Sequence, residues 1–414
     1  MKFHADWLPE DMQRFRAIEK TFRQVCLAHG YGEIRTPVIE KLHWFTGAGI
    51  LSPDLMHKVY TFLDWDGWSG ERVVLRPDNT VPVCRLFSQH YMGNKKARLF
   101  YIDDVFRYKE SEKTGGRLSQ AGVEMLGNFS SPIVRDVEII VLILDFLEDL
   151  NIGKPEIILS HAGILHAYLK SLDLSDEEEA EAFDLIMEGH TDDLTRKFSG
   201  KSNLSGLNRL LELRGASPSF LTNLKALGKD SPGFVEAVEE LEKITSHLDS
   251  FGIKYEVNPA LHKDLTYYTG LMYDIILEDA EIGGGGRYDN LLEKFTGEKI
   301  GGSGFSIYIS PLMELMKKQE KAEVIPRKIT LITDFSDMES VDETLKTARV
   351  LRKKGCVISV TPKDEDSEEL ELWGNIHRSQ NGFEIKAGKG ESLHDFPLTG
   401  ENLDEILAFW EVQQ

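Results

Sequence analysis

Four short stretches of this sequence contain side chains that could take part in binding or catalysis. These side chains carry carboxyl, amide, hydroxyl or guanidinium groups. The stretches are residues 75–82, 105–109, 119–127 and 264–270. The side chains concerned are Asp78, Thr80, Arg107, Gln120, Glu124, Tyr267 and Tyr268. A buried polar group that lacks a partner costs about 1–3 kcal/mol. If the fold gathers these groups, they would favour a polar ligand whose protons match them.

Each of these features, taken alone, also has a purely structural explanation. Glu124 lies between Val123 and Met125, where an alternating strand could point it to solvent. Tyr267 and Tyr268 could pack as ordinary aromatic residues. The glycine run at residues 283–286 does not match the GxGxxG pattern of a phosphate-binding loop and could form a flexible hairpin turn.

The elements that must position these side chains follow from the hydrophobic pattern. Helical spacing predicts helices over residues 9–29, 81–91 and 132–150. Strand-like alternation covers residues 33–40, 72–76, 97–107 and 121–126. Neighbouring strands without a regular helical spacer indicate a largely antiparallel sheet, so we expect an α+β fold with helices flanking that sheet.

Two further regions differ from this pattern. Residues of about 175–248 read as a helical insertion, after which sheet-like sequence returns at 254–258 and 270–277. A polar linker at 319–326 separates a main domain, residues 1–318, from a C-terminal α/β domain, residues 327–414. A strand at 328–333, a helix at 341–354 and a strand at 356–360 form the start of that small domain.

Composition narrows the classes of function. The 414 residues include 48 Lys and Arg against 69 Asp and Glu, a net charge of −21. A strongly acidic chain is disfavoured as a tRNA-binding protein, because polyphosphates are gripped mainly by basic patches. Residues 327–414 have a net charge of 11 − 18 = −7, with acidic side chains clustered at 364–371. That acidic cluster could equally be an ordinary solvent-exposed surface.

Targeting and metal signals are weak. The three cysteines are far apart and form no CxxC motif, which predicts reduced thiols and no zinc site. We expect no metal and no cofactor. The apolar runs are too short or too charged to cross a bilayer, and the N-terminus lacks a secretory pattern. We therefore expect a cytoplasmic protein without membrane contact.

Four stretches, in order along residues 9–315, resemble the histidyl-tRNA synthetase family, including its paralogue, the regulatory subunit of ATP phosphoribosyltransferase. They are residues 30–40, residues 75–82, residues 105–109 with 119–127, and residues 264–270 with 283–291. The first is similar to motif 1, which forms the dimer of class II synthetases, and the third to motif 2. The fourth is similar to the two histidine-recognition signatures.

The resemblance implies a binding site for free histidine. Asp78, Thr80 and Gln120 would surround the amino group of the ligand. Glu124 and Tyr267 would hold the imidazole, and Tyr268 would complete the wall. Arg107 matches the motif 2 arginine and is expected in the same site. Asp78 is shorter than the glutamate usual in the family, which leaves its reach to the ammonium open.

The resemblance also identifies what this sequence lacks for activation of an amino acid by ATP. Lys263 replaces an arginine that precedes the paired tyrosines. Pro311 occupies the position of the motif 3 arginine, with Ser310 at the acid position and Tyr308 at a glycine position. Proline cannot donate hydrogen bonds or carry charge to a phosphate. We therefore expect a degenerate ATP site and no catalytic residues.

These expectations favour a regulatory subunit over an enzyme. By resemblance, the chain would form a homodimer within a hetero-oligomer and assemble with short-form ATP phosphoribosyltransferase catalytic subunits. Histidine would be its effector, and tRNA would not be a partner. Two alternatives stay open: a divergent histidyl-tRNA ligase, and a histidine-independent scaffold with a synthetase-like fold.

Overall fold

The computed structural model describes most of the chain. The residues described are 6–47, 56, 58–65, 70–109, 114–129, 131–187, 189–201, 204–261, 267–319, 328–363, 372–380, 382–389, 392–399 and 402–410. The chain divides into two compact units, Met1–Lys321 and Ala322–Gln414.

Strands of the first unit form a large sheet and a small one. They are β1 Gly32–Glu33, β2 Ile39–Lys41, β3 Thr61–Trp65, β4 Gly70–Leu75, β5 Lys96–Lys109, β6 Thr114–Gly127, β7 Glu156–His161, β8 Tyr255–Val257, β9 Leu271–Leu277, β10 Ala280–Arg287 and β11 Gly302–Tyr308. The described strands of the large sheet run in the order β1-β5-β6-β11-β10-β9-β7-β8, and those of the small sheet in the order β2-β4-β3. Only the outer pairs β1–β5 and β7–β8 of the large sheet are parallel, so this part of the chain has the antiparallel sheet that the sequence predicts.

Helices of the first unit pack against its two sheets or against one another. They are α1 Pro9–Ala28, α2 Leu42–Gly47, α3 Thr80–His90, α4 Pro132–Asp149, α5 Ala162–Lys170, α6 Asp176–Met187, α7 Thr191–Lys197, α8 Leu204–Glu212, α9 Pro218–Leu227, α10 Pro232–Ser250, α11 Asp289–Thr296 and α12 Ile309–Lys318. Proline begins α1, α4 and α10, where its missing N–H costs no intrahelical hydrogen bond. The α+β fold with flanking helices is confirmed.

The two faces of the large sheet have different chemistry because side chains alternate along each strand. Val123 and Met125 of β6 face one side, in a core that contains Phe22 of α1, Phe146 of α4 and Phe305 of β11. The ring centroids of Phe22 and Phe146 are 5.1 Å apart, in an edge-to-face arrangement. The other face carries the polar members of β6.

The segment predicted as one strand over residues 33–40 is instead divided between two sheets, so that prediction is wrong. β1 pairs with β5 in the large sheet, whereas β2 pairs with β4 in the small sheet. Pro37 lies between them and has no N–H to give to a ladder, which explains the break. The turn is held by Arg76, which is fully buried and donates to the Thr36 carbonyl at 2.8 Å.

A buried ion-pair network joins three parts of the first unit. Arg287, at the end of β10, pairs with Asp136 of α4 and with Glu240 of α10. Glu240 also lies 3.6 Å from His161. Burial alone would raise the pKa of Glu240, but its hydrogen bonds to His161 and Arg287 outweigh burial and lower the pKa to about 2. The helical segment between β7 and β8 is thus attached to the sheet by charge as well as by packing.

The second unit begins as a β-α-β arrangement and ends as a meander. Its elements are β12 Lys328–Thr333, α13 Met338–Lys353, β13 Val357–Pro362, β14 Leu372–Ser379, β15 Gly382–Lys389, β16 Ser392–Pro397 and α14 Leu403–Phe409. β12 is parallel to β13 and β14, and β14, β15 and β16 are antiparallel. The first strand, helix and strand agree with the sequence prediction, whereas the meander had no predicted counterpart.

The glycine run at residues 283–286 lies within strand β10, so the alternative of a flexible hairpin turn there is wrong. The turn is formed by Glu278 and Asp279, whose φ angles are 48° and 64°. A Cβ atom on Gly283 would lie 2.2 Å from the Ser306 carbonyl oxygen. One on Gly285 would lie 2.1 Å from the Gly304 carbonyl oxygen. Glycine is therefore required by the close approach of β10 to β11.

We expect Gly285→Ala to destabilise the first unit by about 2 kcal/mol or more, because the new methyl group meets backbone that cannot rotate away. Gly93→Ala is the matched control, since nothing lies within 4 Å of a Cβ at that position. Chemical denaturation of both variants and the parent measures the effect. Equal midpoints for Gly285→Ala and the parent would contradict this account of the glycine run.

Candidate functional site

The pocket is built around the buried carboxyl group of Glu124. This side chain is only 1% exposed, on the polar face of β6. Its Oε1 atom accepts hydrogen bonds from Thr80 Oγ1 at 2.9 Å and from Tyr101 Oη at 3.3 Å. Tyr288 Oη donates to Oε2. Strand β5, the start of α3 and the turn before α11 thus meet at one carboxyl group.

Glycines on β6 and on its neighbour β11 make room for that group and for Tyr101, which bonds to it. Gly304 of β11 is paired directly with Glu124, and a Cβ there would lie 1.8 Å from Glu124 Oε2. A Cβ on Gly122 would lie 2.5 Å from Tyr101 Oη. The polar cluster therefore depends on small residues beside it as much as on the polar residues themselves.

Burial raises the pKa of Glu124 to about 8, and the negative charge of Asp78 acts in the same direction. The hydrogen bonds from Tyr288, Thr80 and Tyr101 oppose this shift but do not overcome it. Because a cationic group placed beside Glu124 would favour its charged form, the pocket is suited to a ligand that brings positive charge or N–H donors.

Asp78 stands beside the first turn of α3. Its Oδ1 atom accepts a hydrogen bond from the Val81 N–H at 3.0 Å, which fixes the carboxylate against the N-terminus of the helix. Tyr267 Oη donates to Asp78 Oδ2 at 3.5 Å. Burial raises the pKa of Asp78, and the Arg107 guanidinium opposes the shift. A second buried acid therefore lies within the electrostatic reach of Glu124.

Gln120 and two aromatic rings complete the described lining. Gln120 accepts from Asn79 Nδ2 at 3.2 Å and donates to Ser306 Oγ at 3.3 Å. The rings of Tyr267 and Tyr268 have centroids 4.7 Å apart. Tyr268 lies over Gly286, where a Cβ would be 2.8 Å from its ring. The absence of a side chain at Gly286 thus leaves room for the ring of Tyr268.

Arg107 lies beside Asp78 at the edge of this cluster. Its Nε donates to the Pro77 carbonyl at 2.5 Å, and Nη2 lies 3.9 Å from Asp78 Oδ2. Nη1 donates to Tyr308 Oη at 3.4 Å. These contacts place a guanidinium beside the acid that borders α3.

Contacts thus bring together in one cluster all seven residues predicted to bind histidine, which are Asp78, Thr80, Arg107, Gln120, Glu124, Tyr267 and Tyr268. The alternative that Glu124 faces solvent is wrong. Sequence reasoning missed Tyr101, Tyr288, Asn79 and Ser306. Tyr288 follows the glycine run directly, which was the signal available for it; Tyr101 lies in an alternating strand and gave none.

The positions expected to form the degenerate ATP site are only partly described. Lys263 lies outside the described residues. Ser310 and Pro311 lie in the first turn of α12, where Ser310 is exposed and Pro311 is half-buried. Arg117, another basic residue near motif 2, stacks on Trp7 at 4.7 Å and lies 3.8 Å from Asp104. Arg117 is therefore engaged in structural contacts.

The described part of the chain offers neither a metal-binding cluster nor a membrane-spanning helix. It contains no group of three or more His, Cys, Asp or Glu side chains placed to hold a metal ion. In the same residues, no helix combines the length and apolar character needed to span a bilayer.

Comparisons with known proteins agree with this fold. A sequence model described as histidyl-tRNA synthetase matches residues 4–312. The ATP phosphoribosyltransferase regulatory subunit of Dehalococcoides mccartyi is 37% identical over 347 residues, which cover 83% of this chain and 84% of that protein. The histidine–tRNA ligase of Methanocaldococcus jannaschii is 31% identical over 431 aligned positions, covering 98% and 97% of the two chains.

Solved structures show the same fold. The histidyl-tRNA synthetase of Nostoc sp. PCC 7120 superposes with a TM-score of 0.74 at 20% identity, covering 98% of this chain and 97% of that one. A Bacillus halodurans protein described as an ATP phosphoribosyltransferase regulatory subunit/histidyl-tRNA synthetase has a TM-score of 0.72 at 23% identity, with 88% and 93% coverage. The fold is thus that of a class II aminoacyl-tRNA synthetase. Within that class, the chain belongs to the histidyl-tRNA synthetase family.

The raised pKa of Glu124 predicts a pH-dependent stability that Glu124→Gln should remove. A glutamate whose pKa is raised on folding stabilises the fold most below its unfolded pKa, and that contribution is lost as pH rises towards about 8. Between pH 5 and pH 9 we expect the variant to gain about 2–4 kcal/mol relative to the parent.

Chemical denaturation across that pH range measures the difference in unfolding free energy. Glu314→Gln, at an exposed position of α12, is the matched control. Parallel pH profiles for Glu124→Gln and the parent would show that the buried carboxyl does not titrate as described.

Proposed function

We propose that this chain is a non-catalytic regulatory subunit of ATP phosphoribosyltransferase that binds histidine. It would confer activity and feedback inhibition on a short-form catalytic subunit, in the first step of histidine biosynthesis. The observation that carries the proposal is the pocket around Glu124 and Asp78, present in a chain that lacks the nucleotide-binding residues expected of a ligase.

The pocket chemistry supports histidine as the ligand. Asp78 and Gln120 offer acceptors for an ammonium group, and Glu124 with the hydroxyls around it offers partners for imidazole nitrogens. An amino acid without the imidazole would leave those buried groups unpaired, which is how such a site rejects similar ligands. Arg107 is the cation placed to balance the ligand carboxylate.

The altered motif 3 positions support a non-catalytic role. Attack on the α-phosphorus of ATP places negative charge on phosphate oxygens, which arginines must stabilise. Pro311 cannot do this, and Tyr308 contacts Arg107, the remaining motif 2 arginine. Lys263 would not reproduce the planar fork of an arginine. These changes fall on the nucleotide side of the site, while the amino-acid side keeps its polar groups.

The proposal includes the assembly that the family resemblance implies. We expect a cytoplasmic homodimer within a hetero-oligomer, without tRNA as a partner. Three apolar side chains of the small sheet, Ile39, Phe62 and Leu63, are exposed. Their exposure supports a protein–protein interface at that sheet. The net charge of −21 supports the exclusion of tRNA. The relatives named as regulatory subunits support the catalytic partner.

A second candidate is a divergent histidyl-tRNA ligase. It is favoured by the 31% identity to a histidine–tRNA ligase along 98% of this chain. Histidine-dependent exchange of pyrophosphate into ATP separates the two, because only a ligase activates the amino acid. The third alternative is a histidine-independent scaffold, which would show neither pyrophosphate exchange nor histidine binding.

Isothermal titration calorimetry of the purified chain with histidine tests the proposed ligand. We expect saturable binding that Asp78→Asn weakens about tenfold or more, because the variant loses a charge-assisted contact with the ammonium. Asp145→Asn is the matched control, since Asp145 pairs with His29 on the surface of α4. Absence of binding by the parent at millimolar histidine would refute the sensor function.

Assays with a short-form catalytic subunit test the regulation. We expect phosphoribosyl transfer to ATP to increase when this chain is added and to fall when histidine is added. Asp78→Asn should preserve the activation and shift inhibition to about tenfold higher histidine, because inhibition requires the ligand to favour one state of the assembly. Inhibition that is unchanged in the variant would place the histidine effect elsewhere.

A further inference from the structure

Tyr308 lies at a position where the family resemblance leads one to expect a glycine. It is the last residue of β11, and its register partner on β6 is Gln120. Directly opposed residues of antiparallel strands project to the same face, so Tyr308 shares the pocket face with Gln120 and Glu124. A large side chain therefore stands on this face at a position where the family pattern has a glycine.

The hydroxyl of Tyr308 is held by Arg107. Nη1 of Arg107 donates to Tyr308 Oη at 3.4 Å, while Nη2 points towards Asp78 and Nε is fixed by the Pro77 carbonyl. A tyrosine hydroxyl that accepts from a guanidinium keeps its own proton for a second partner. Arg107 and Tyr308 thus form a pair of donors next to the acid expected to hold the ligand ammonium.

The ammonium and carboxylate of an amino acid are attached to the same carbon atom. An ammonium at Asp78 therefore brings the carboxylate close to the adjacent cation, Arg107, which lies 3.9 Å from Asp78. A carboxylate there would accept from the guanidinium and from the Tyr308 hydroxyl together. Both contacts involve a charged acceptor, which makes them the stronger class of hydrogen bond.

We infer that Tyr308 is a specificity-determining residue that binds the ligand carboxylate jointly with Arg107. This makes the pocket selective for the free amino acid over forms whose carboxylate is absent. The inference rests on the proposed histidine site and deepens it. In this chain a side chain of the protein fills the end of the pocket towards the nucleotide side, and it contributes binding energy to the unreacted amino acid.

The test compares two ligands on two proteins. Histidine and histidinol differ in that histidinol has a neutral CH2OH group in place of the carboxylate. Tyr308→Phe removes the hydroxyl and keeps the ring. Calorimetry, or competition where binding is weak, should show a loss of about tenfold in affinity for histidine and less than about twofold for histidinol. Tyr255→Phe is the matched control, because Tyr255 lies on edge strand β8, away from the pocket, and its hydroxyl donates to Asp249 of α10.

The outcomes separate this inference from the proposed function. Histidine binding by the parent together with an equal loss, or no loss, for both ligands in Tyr308→Phe would overturn the role of Tyr308 alone. No binding of either ligand by the parent would overturn the histidine site itself, and the inference with it. Retained thermal stability of Tyr308→Phe excludes misfolding as the cause of a selective loss.

A double-mutant cycle with histidine gives a second readout. Because Arg107 and Tyr308 would hold one carboxylate, the effects of Arg107→Gln and Tyr308→Phe should not add, and the double variant should bind about as weakly as Arg107→Gln alone. Fully additive losses would show that the two side chains act independently and would overturn the joint site.

Discussion

The buried carboxyl of Glu124 is the constraint on which the pocket depends. Among the described side chains that bond to it, the donors are neutral hydroxyl groups, so its charge must be balanced by what enters the pocket or removed by a proton. Meeting that requirement fixes the position of α3 through Thr80 and of the segment before α11 through Tyr288. It also fixes the neighbouring strand at Gly304, because any larger residue would displace the carboxyl.

A nucleotide-binding end of the pocket would have to meet a different physical requirement. It would have to stabilise developing negative charge, which calls for fixed cations. In this chain the one described arginine of the ligase set that borders the pocket, Arg107, is engaged with Asp78 and Tyr308. Under the proposed function, the pocket as a whole would hold a ligand that carries both charges. Holding such a ligand requires complementarity to its ground state, whereas catalysis requires complementarity to a transition state.

Much of the fold could be predicted because its signals are local. Helices α1, α3 and α4 have apolar residues at helical spacing and prolines or polar residues at their starts. Strands β5 and β6 alternate clearly. Because side chains alternate along a strand, Gln120 and Glu124 of β6 lie on the same face. The spacing alone therefore predicts that they belong to one site. Assigning a ligand to that face needed the resemblance, because spacing alone does not say what an acid binds.

The predictions that failed concern residues whose structural role depends on a contact with a residue distant in sequence. Gly283 and Gly285 look like turn residues, but the backbone of β11 demands them inside a strand. Tyr101 reads as a core aromatic, yet its hydroxyl reaches Glu124 across the strand pair. The break at Pro37 was visible in the sequence, but the transfer of the chain from one sheet to another was not. Register between distant strands, which no local pattern encodes, decided each case.

The network of Arg287 with Asp136 and Glu240 has a consequence for how this architecture can change over evolution. Glu240 belongs to the helical segment between β7 and β8, whereas Arg287 and Asp136 belong to the sheet and the helix beneath it. Without Glu240, Arg287 would keep Asp136, but His161 and Arg287 would lose the acid that they share. The segment is therefore not an independent cassette: a recombination event that replaces α10 keeps this attachment to the sheet only if it brings an acid at the position of Glu240.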